Sequence, residues 1–489
     1  MKKNKNEWIM KYLLVLMIFS IASVFTACNV VDEVIDVVDE TTDIDTDELP
    51  IDIDSSIPDR NADIQFYHAW LADCVNDTAF SSKSVAESQL LALANSRIRA
   101  AIADPAIING FGSVQLTERL VWGPVVIVEP TKLDSTMYAA SNVMFCLKSV
   151  DTRGVAHYSI GISGTNMIST YDWFNEDFNA GANAQHDWPS TGGKISNGAF
   201  IGVRLLAQMN SGGKTLIEYL STDAVKERAS IMNVSGHSLG GTLTQVYASS
   251  LHDEMMRLRR GIHVSASVYA GPTAGNSEFA TGLVNQLYAY QAYNNTLDAI
   301  PHAWQASTLE KLCSLYNRKA FCDWTINECP SINGVMKYLQ LSSLGGDYTM
   351  AGVPEDTTQF TGELLAPGFE DCAGIDLAIK VYYEDMNKSY LMKDLVKVHN
   401  LCSPGTTMNE TEVYSFFSYL SEMGYQHTTA YFNHFITKTA TRRALDIHIP
   451  GAKSKLNLSL KGERILDEFL KKIYAELRTN GVTSCGCDN

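Results

Sequence analysis

Apolar and polar positions change period several times along this chain. Between residues 63 and 104, Phe66, Trp70, Leu71, Leu90, Leu91 and Ile98 recur at roughly helical spacing, which predicts mainly helix. Three runs rich in β-branched or aromatic residues follow, at 120–128, 137–147 and 158–162, each bounded by turn formers, and these predict strands. Beyond them the two periods alternate. The pattern predicts helix over 199–220, strand over 231–234, helix over 242–259, strand over 264–270, helix over 279–287 and strand over 288–293. Such alternation predicts an α/β protein, with a mostly parallel central sheet flanked by helices.

The amino terminus reads differently. Lys2, Lys3, Lys5 and Lys11 precede an apolar run over 12–27, the pattern of a secretory signal that ends at Cys28. Phe25-Thr26-Ala27-Cys28 resembles a bacterial lipoprotein processing box, so 1–28 is expected to be a lipoprotein signal peptide with Cys28 as the lipidated residue. The competing reading is a retained transmembrane anchor, for which the run is marginally long. Both attach the protein to a membrane. Residues 29–62 are crowded with like charges and poor in aromatics, which predicts a disordered, extended acidic tether. The expected location is the bacterial envelope, at the outer membrane or cell surface.

Composition narrows the remainder. With 489 residues, 45% of them hydrophobic, the chain has enough apolar material for a large core. Its net charge of −17 is concentrated between Val31 and Asp59, where no Lys or Arg occurs, so the acidity carries little information about substrate. No basic cluster interleaved with aromatics appears, which argues against a nucleic-acid partner. Of ten cysteines, Cys313, Cys322 and Cys329 lie close enough in sequence to staple a local excursion. A metal site is the rival reading, but no Cys-x-x-Cys or His-x-x-x-His spacing accompanies them.

The most informative residues are Gly236-His237-Ser238-Leu239-Gly240, between the strand predicted at 231–234 and the helix predicted from 242. A serine hydroxyl is a poor nucleophile and must stand exposed where a histidine can take its proton. A sharp strand-to-helix turn of the G-x-S-x-G type achieves this, with glycines leaving room for the strained backbone.

With Gly241 added, this segment resembles the signature of the class 3 lipases. Three further blocks agree in order: Ile162-Ser163-Gly164-Thr165 followed by Asp172-Trp173 and Asp177; Ala270-Gly271-Pro272 with Gly275-Asn276 and Phe279-Ala280; and the run from Asn295 to Pro301. The resemblance spans roughly 122–302 and resumes around His427. It implies an α/β-hydrolase fold and hydrolysis of a lipid or other carboxylic ester by a serine nucleophile, without a cofactor. By the same resemblance, Thr165 supplies one oxyanion donor. Ser163 stands where the family commonly has arginine. A second donor, the Leu239 amide, follows from the elbow geometry itself.

Chain order supplies the partners, because this fold presents serine, then an acid, then histidine. Asp298 satisfies the order and sits in a loop with Asn294, Asn295 and Pro301. His427 is preferred as the base. It follows Gly424-Tyr425-Gln426 after a helical run over 413–422, which places it in a loop at a helix start, and Tyr431 lies on the next turn. His399, read as a loop residue, is the second choice. His448, read in a short extended segment before Pro450, is the third.

These readings give a catalytic domain over 63–450, with a largely helical insertion at about 303–415, and a helical tail over 451–489. Trp173, Phe174, Phe178 and Trp188 lie where lipases of this kind carry a lid, although aromatic stripes more often belong to a core. Gly213-Lys214-Thr215 imitates the end of a phosphate-binding loop but has Gln208 in place of the first glycine. No His-Glu-x-x-His helix is present, so no metal is expected. The functional alternatives are a phospholipase, a short-chain esterase, or a catalytically silent surface lipoprotein that binds lipid or glycan.

Overall fold

The alternating segments assemble, in the computed structural model, into a sheet with eight strands among the described residues. The structure describes residues 62–111, 117–131, 137–151, 154–166, 179–181, 184–224, 229–258, 262–317, 320–321, 324–352, 359–364, 380, 390–450 and 460–486. The signal-like run, Cys28 and the acidic stretch to residue 61 lie outside these, as do Trp173, Phe174 and Phe178. Among the described residues no helix is long and apolar enough to cross a membrane.

The main strands are β1 (Arg119–Pro130), β2 (Tyr138–Val150), β3 (Ala156–Ile162), β4 (Ala229–His237), β5 (His263–Tyr269) and β6 (Ala289–Asn295). Ala79–Phe80 pairs with the start of β2, and Gln359–Phe360 pairs with the end of β6. The first three strands are antiparallel, whereas β3, β4, β5 and β6 run parallel. Their register places Ile162 beside Gly236, Gly236 beside Val268, and Tyr269 beside Tyr293. Four carboxyl ends therefore finish at one edge of the sheet, the position where open α/β sheets gather their functional loops.

The main helices among the described residues are α1 (Ala62–Leu71), α2 (Lys83–Ala103), α3 (Asn197–Gln208), α4 (Leu239–Arg257), α5 (Ser277–Gln286), α6 (Pro330–Ser343), α7 (Tyr390–Cys402), α8 (Glu410–His427), α9 (Thr429–Phe435), α10 (Thr439–His448) and α11 (Leu460–Thr479). They sort onto three apolar cores. On one face of the sheet Val203, Leu243, Val246 and Leu283 cover Ile160, Met232 and Val264. On the other, Phe66, Trp70, Ile98, Phe432 and Leu445 cover Val143, Phe145 and Tyr269. The third core unites Met336, Leu395, Phe417, Ile473 and Leu477. It joins the inserted helices to the tail, where Cys402 is also bonded to Cys485.

Several expectations are corrected. The helix predicted over 199–220 is two: α3 ends at Gln208, and Asn210–Ser211 pairs with Lys214–Thr215 before a second helix, Leu216–Thr222. Gly212 and Gly213, both at positive φ, make the turn between the two short strands. Thr215 and Glu218 form a capping box, and Lys214 pairs with Asp223, so this glycine-lysine-threonine run serves a local hairpin. The stretch predicted as mainly helix over 63–104 is so, as α1 and α2, with a loop and the strand Ala79–Phe80 between them.

His399 lies inside α7, buried, rather than in a loop, and its Nε2 is 3.3 Å from Glu412. His448 ends α10 instead of occupying an extended segment, and its Nε2 is 2.9 Å from Asp104. The hydrogen bond from His448 holds the Asp104 carboxyl below its ordinary range. His427 closes helix α8 rather than opening one. That helix runs through Gly424 because Tyr425 and Gln426 bury their side chains, and Gln426 Nε2 donates to Glu422 one turn earlier. Of the three neighbouring cysteines, Cys313 is in a disulfide and Cys329 is a buried free thiol, while Cys322 lies outside the described residues.

Candidate active site

Strand β4, which carries the apolar Ile231, Met232 and Val234, ends in Gly236-His237, and α4 begins at Leu239, so Ser238 alone makes the turn. Its backbone has φ 59° and ψ −127°, a conformation that L-residues rarely adopt. The surroundings hold it there: the Ser238 amide donates to Tyr269 O at 2.9 Å, and the Ser238 carbonyl accepts from Gly241 N at 2.8 Å. Both flanking glycines are required by space. A Cβ at 236 would lie 2.1 Å from Gly240 O, and one at 240 would lie 2.5 Å from Ile162 O. The close approach lets the end of β3 press against the start of α4.

The Ser238 hydroxyl makes no helix-capping bond. It lies instead 2.8 Å from Nε2 of His427, and Nδ1 of the same ring lies 2.9 Å from Oδ2 of Asp298. With Nδ1–H donating to the carboxylate, Nε2 is left to accept the serine proton. Asp298 is fully buried, yet its second oxygen accepts the Ile300 amide at 3.0 Å. The Tyr431 hydroxyl, within the field of this carboxylate, accepts the Asn295 amide at 2.8 Å. Burial, reinforced by the negative Asp298, pushes the Tyr431 phenol well above its usual range, so it remains a proton donor.

The structure thus brings Ser238, His427 and Asp298 into one line, and leaves His399 and His448 outside it. His302, on the loop after Asp298, is also outside, and burial lowers its imidazole from the usual range. Leu239 is the first residue of α4, where backbone amides have no partner within the helix. Thr165 follows Gly164, whose Cα faces the elbow so closely that a Cβ there would meet His237 O at 2.7 Å and Ser238 Cβ at 3.4 Å. Trp188, grouped in the sequence with lid aromatics, is half-buried in a short hairpin and donates its indole N–H to Ser249 Oγ on α4 at 3.2 Å.

Four neighbours escaped the sequence reading as functional residues. His237 is buried, and its Nε2 donates to the His427 carbonyl at 2.7 Å. Desolvation, then the adjacent His427 charge, lowers the His237 imidazole well below its usual range, so it stays neutral and keeps that donor. Asn295 and Gln426 are also buried, and Asn295 Nδ2 donates to Gln426 Oε1 at 2.6 Å, joining the acid loop to the histidine helix. Asp73 sits in the loop after α1, buried, and accepts the Gly164 amide at 2.8 Å. Burial pushes its carboxyl up to about 7, against the pull of that amide, Asn76 and the facing His427 charge. The local cue for His237 was its place inside the elbow. The other three link segments remote in sequence and gave none.

Residues 159–307 match the family model of the class 3 lipases. No curated protein matches the chain. Among solved structures, M37 lipase aligns with a TM-score of 0.53 at 20% identity, covering 80% of this chain and 98% of that one. The lipase of Rhizopus microsporus var. chinensis aligns at 15% identity with a TM-score of 0.32, covering 54% of this chain and 76% of that one. A triacylglycerol lipase of Penicillium expansum gives 16% identity and a TM-score of 0.28, covering 43% and 72%. The chain has the α/β-hydrolase fold, and within it the stretch from 159 to 307 is similar to the class 3 lipases.

Proposed function

We propose that the protein hydrolyses carboxylic esters of lipids through an acyl-enzyme on Ser238. The observation that carries this reading is the unbroken hydrogen-bonded line from Ser238 Oγ through His427 to Asp298, at 2.8 and 2.9 Å. His427 Nε2 takes the hydroxyl proton as Oγ attacks the ester carbonyl, and Asp298 steadies the imidazolium that results. The tetrahedral oxyanion is met by the Leu239 amide at the start of α4 and by Thr165. As the intermediate collapses, His427 returns its proton to the departing alkoxide. Water then repeats the sequence on the acyl-enzyme, and the carboxylic acid leaves.

The lipid class is supported by the match of residues 159–307 to the class 3 lipases. Hydrolysis of p-nitrophenyl esters of graded chain length, together with fluorophosphonate labelling, tests both statements. Wild-type protein is expected to be labelled and to prefer medium or long acyl chains. Ser238→Ala is expected to lose label and on the order of 10⁵–10⁶-fold in kcat. Equal labelling of both proteins would sink the assignment, and activity confined to acetate esters would sink the lipid class.

We also propose a membrane tether through Cys28, supported by the lysine-led apolar run over 12–27 and the likeness of Phe25-Thr26-Ala27-Cys28 to a lipoprotein processing box. Feeding cells an alkyne fatty acid should tag the wild-type protein and leave Cys28→Ala untagged; a tag of equal strength on both would remove the anchor.

A further inference from the structure

We propose that Asp73 is a positioning residue for the oxyanion loop: its carboxylate, supplied by the loop after α1, grips the Gly164 peptide and thereby sets Thr165 against Ser238. The inference rests on the ester-hydrolase reading above and extends it to a segment far from residues 159–307.

Residues 163–166 leave the sheet and would otherwise be an unsupported turn. Ser163 remains tied to β2, its amide donating to Val143 O at 3.0 Å and its hydroxyl accepting Val143 N at 2.8 Å. Asn166, fully buried, donates its side-chain amide to Ala140 O at 2.7 Å. Between them the Gly164 amide donates to no carbonyl of the sheet; its partner is Asp73 Oδ1, 91 residues away in sequence. Thr165 is therefore fixed by anchors on either side, and the Gly164 anchor is the one touching the nucleophile's own turn, as its close approach to His237 and Ser238 shows.

Asp73 is itself held. Asn76 Nδ2 donates to it at 3.1 Å, and the Asn76 amide donates to the Asp73 carbonyl at 3.2 Å. Arg97 of α2 donates to the Cys74 carbonyl at 2.5 Å and pairs with Asp77 at 2.7 Å, clamping the same loop from outside. On its inner side, α1 packs Phe66 and Trp70 against His237. A buried carboxylate is costly unless it is well bonded, so its presence here needs a reason beyond packing. Fixing one peptide against the attacked carbonyl supplies one, because oxyanion donors act only when held before the charge develops.

The test compares Asp73→Ala and Asp73→Asn with wild type in steady-state ester hydrolysis. Removal of the acceptor should lower kcat on the order of 10²-fold with KM within about twofold, because misplacing an oxyanion donor weakens the transition state and leaves ground-state binding alone. Asparagine keeps an oxygen for the Gly164 amide and should restore kcat to within about fivefold of wild type. A merely structural role would lower apparent kcat only in proportion to the loss of folded protein, leaving the rate per folded, fluorophosphonate-titrated site unchanged, and the two variants would fall alike.

Should the alanine variant fail to fold, Asn76→Ala loosens the carboxylate from outside and is expected to lower kcat several-fold at constant KM. The proposal is overturned by a folded Asp73→Ala with unchanged kcat, by a loss confined to KM, or by an asparagine variant no better than alanine. A wild-type protein that neither turns over esters nor accepts fluorophosphonate would instead overturn the hydrolase reading and this proposal together. An active wild type with an unimpaired alanine variant overturns the proposal alone.

Discussion

The nucleophile and the imidazole beside it are held in opposite ways. Ser238 is fixed by its immediate neighbours: two glycines that admit no Cβ, a following helix, and one bond to the adjacent strand. His427 is fixed by groups gathered from across the chain. Its carbonyl is held by His237, 190 residues away, and its helix end is joined through Gln426 to Asn295, 131 residues away. One arm is a local motif, and the other is an assembly that exists only once the sheet, the acid loop and α8 have come together. Damage to the first is expected to abolish function outright. Damage to the second should be graded, each lost bond displacing the ring by a fraction of an ångström.

The largest effect that would sharpen this contrast is expected at the far end of the histidine arm. Asp298→Asn keeps the size of the side chain and the Ile300 bond, but presents an amide to Nδ1 and so favours the wrong tautomer of His427. A fall in kcat of about 10⁴-fold is expected, with thermal stability nearly unchanged. A fall of less than tenfold in steady-state assays would mean that the carboxylate does not orient the ring.

The same contrast explains what could be read in advance. The elbow is legible because strand, turn and helix are contiguous: apolar 231–234, then Gly-His-Ser-Leu-Gly, then a helical run. Asp298 is legible through chain order, and the alternation of β4, α4, β5, α5 and β6 through periodicity. Where the reading failed, a local signal was outweighed by distant packing. Gly424 looks like a helix stop, yet α8 passes through it because the buried Tyr425 and Gln426 have partners elsewhere in the fold. His399 looks like a loop residue, yet the helical core that joins α6, α7 and α11 encloses it. Asp73 could not be singled out at all, since its importance depends on the Gly164 amide, 91 residues later and just past the end of β3.

A smaller effect would test whether the assembled arm is graded. Gln426 is fully buried and uses both ends of its amide: Oε1 accepts from Asn295, while Nε2 donates to Glu422 Oε1 and to the Glu363 carbonyl, each at 2.7 Å. Gln426→Ala strips one partner from the buried Asn295 and Glu422, at roughly 1–3 kcal/mol for every buried group left unsatisfied, while the Glu363 carbonyl, on an exposed residue, can turn to water. A loss of about 3 kcal/mol in denaturant unfolding is expected, because Asn295 keeps its bond to the Gln426 carbonyl, which the substitution does not remove. With the helix end less firmly held, His427 should drift from Ser238, and kcat should fall about tenfold while KM holds. Loss of stability without loss of kcat would show that His237 alone suffices to seat the ring, and the arm would then be as locally determined as the elbow.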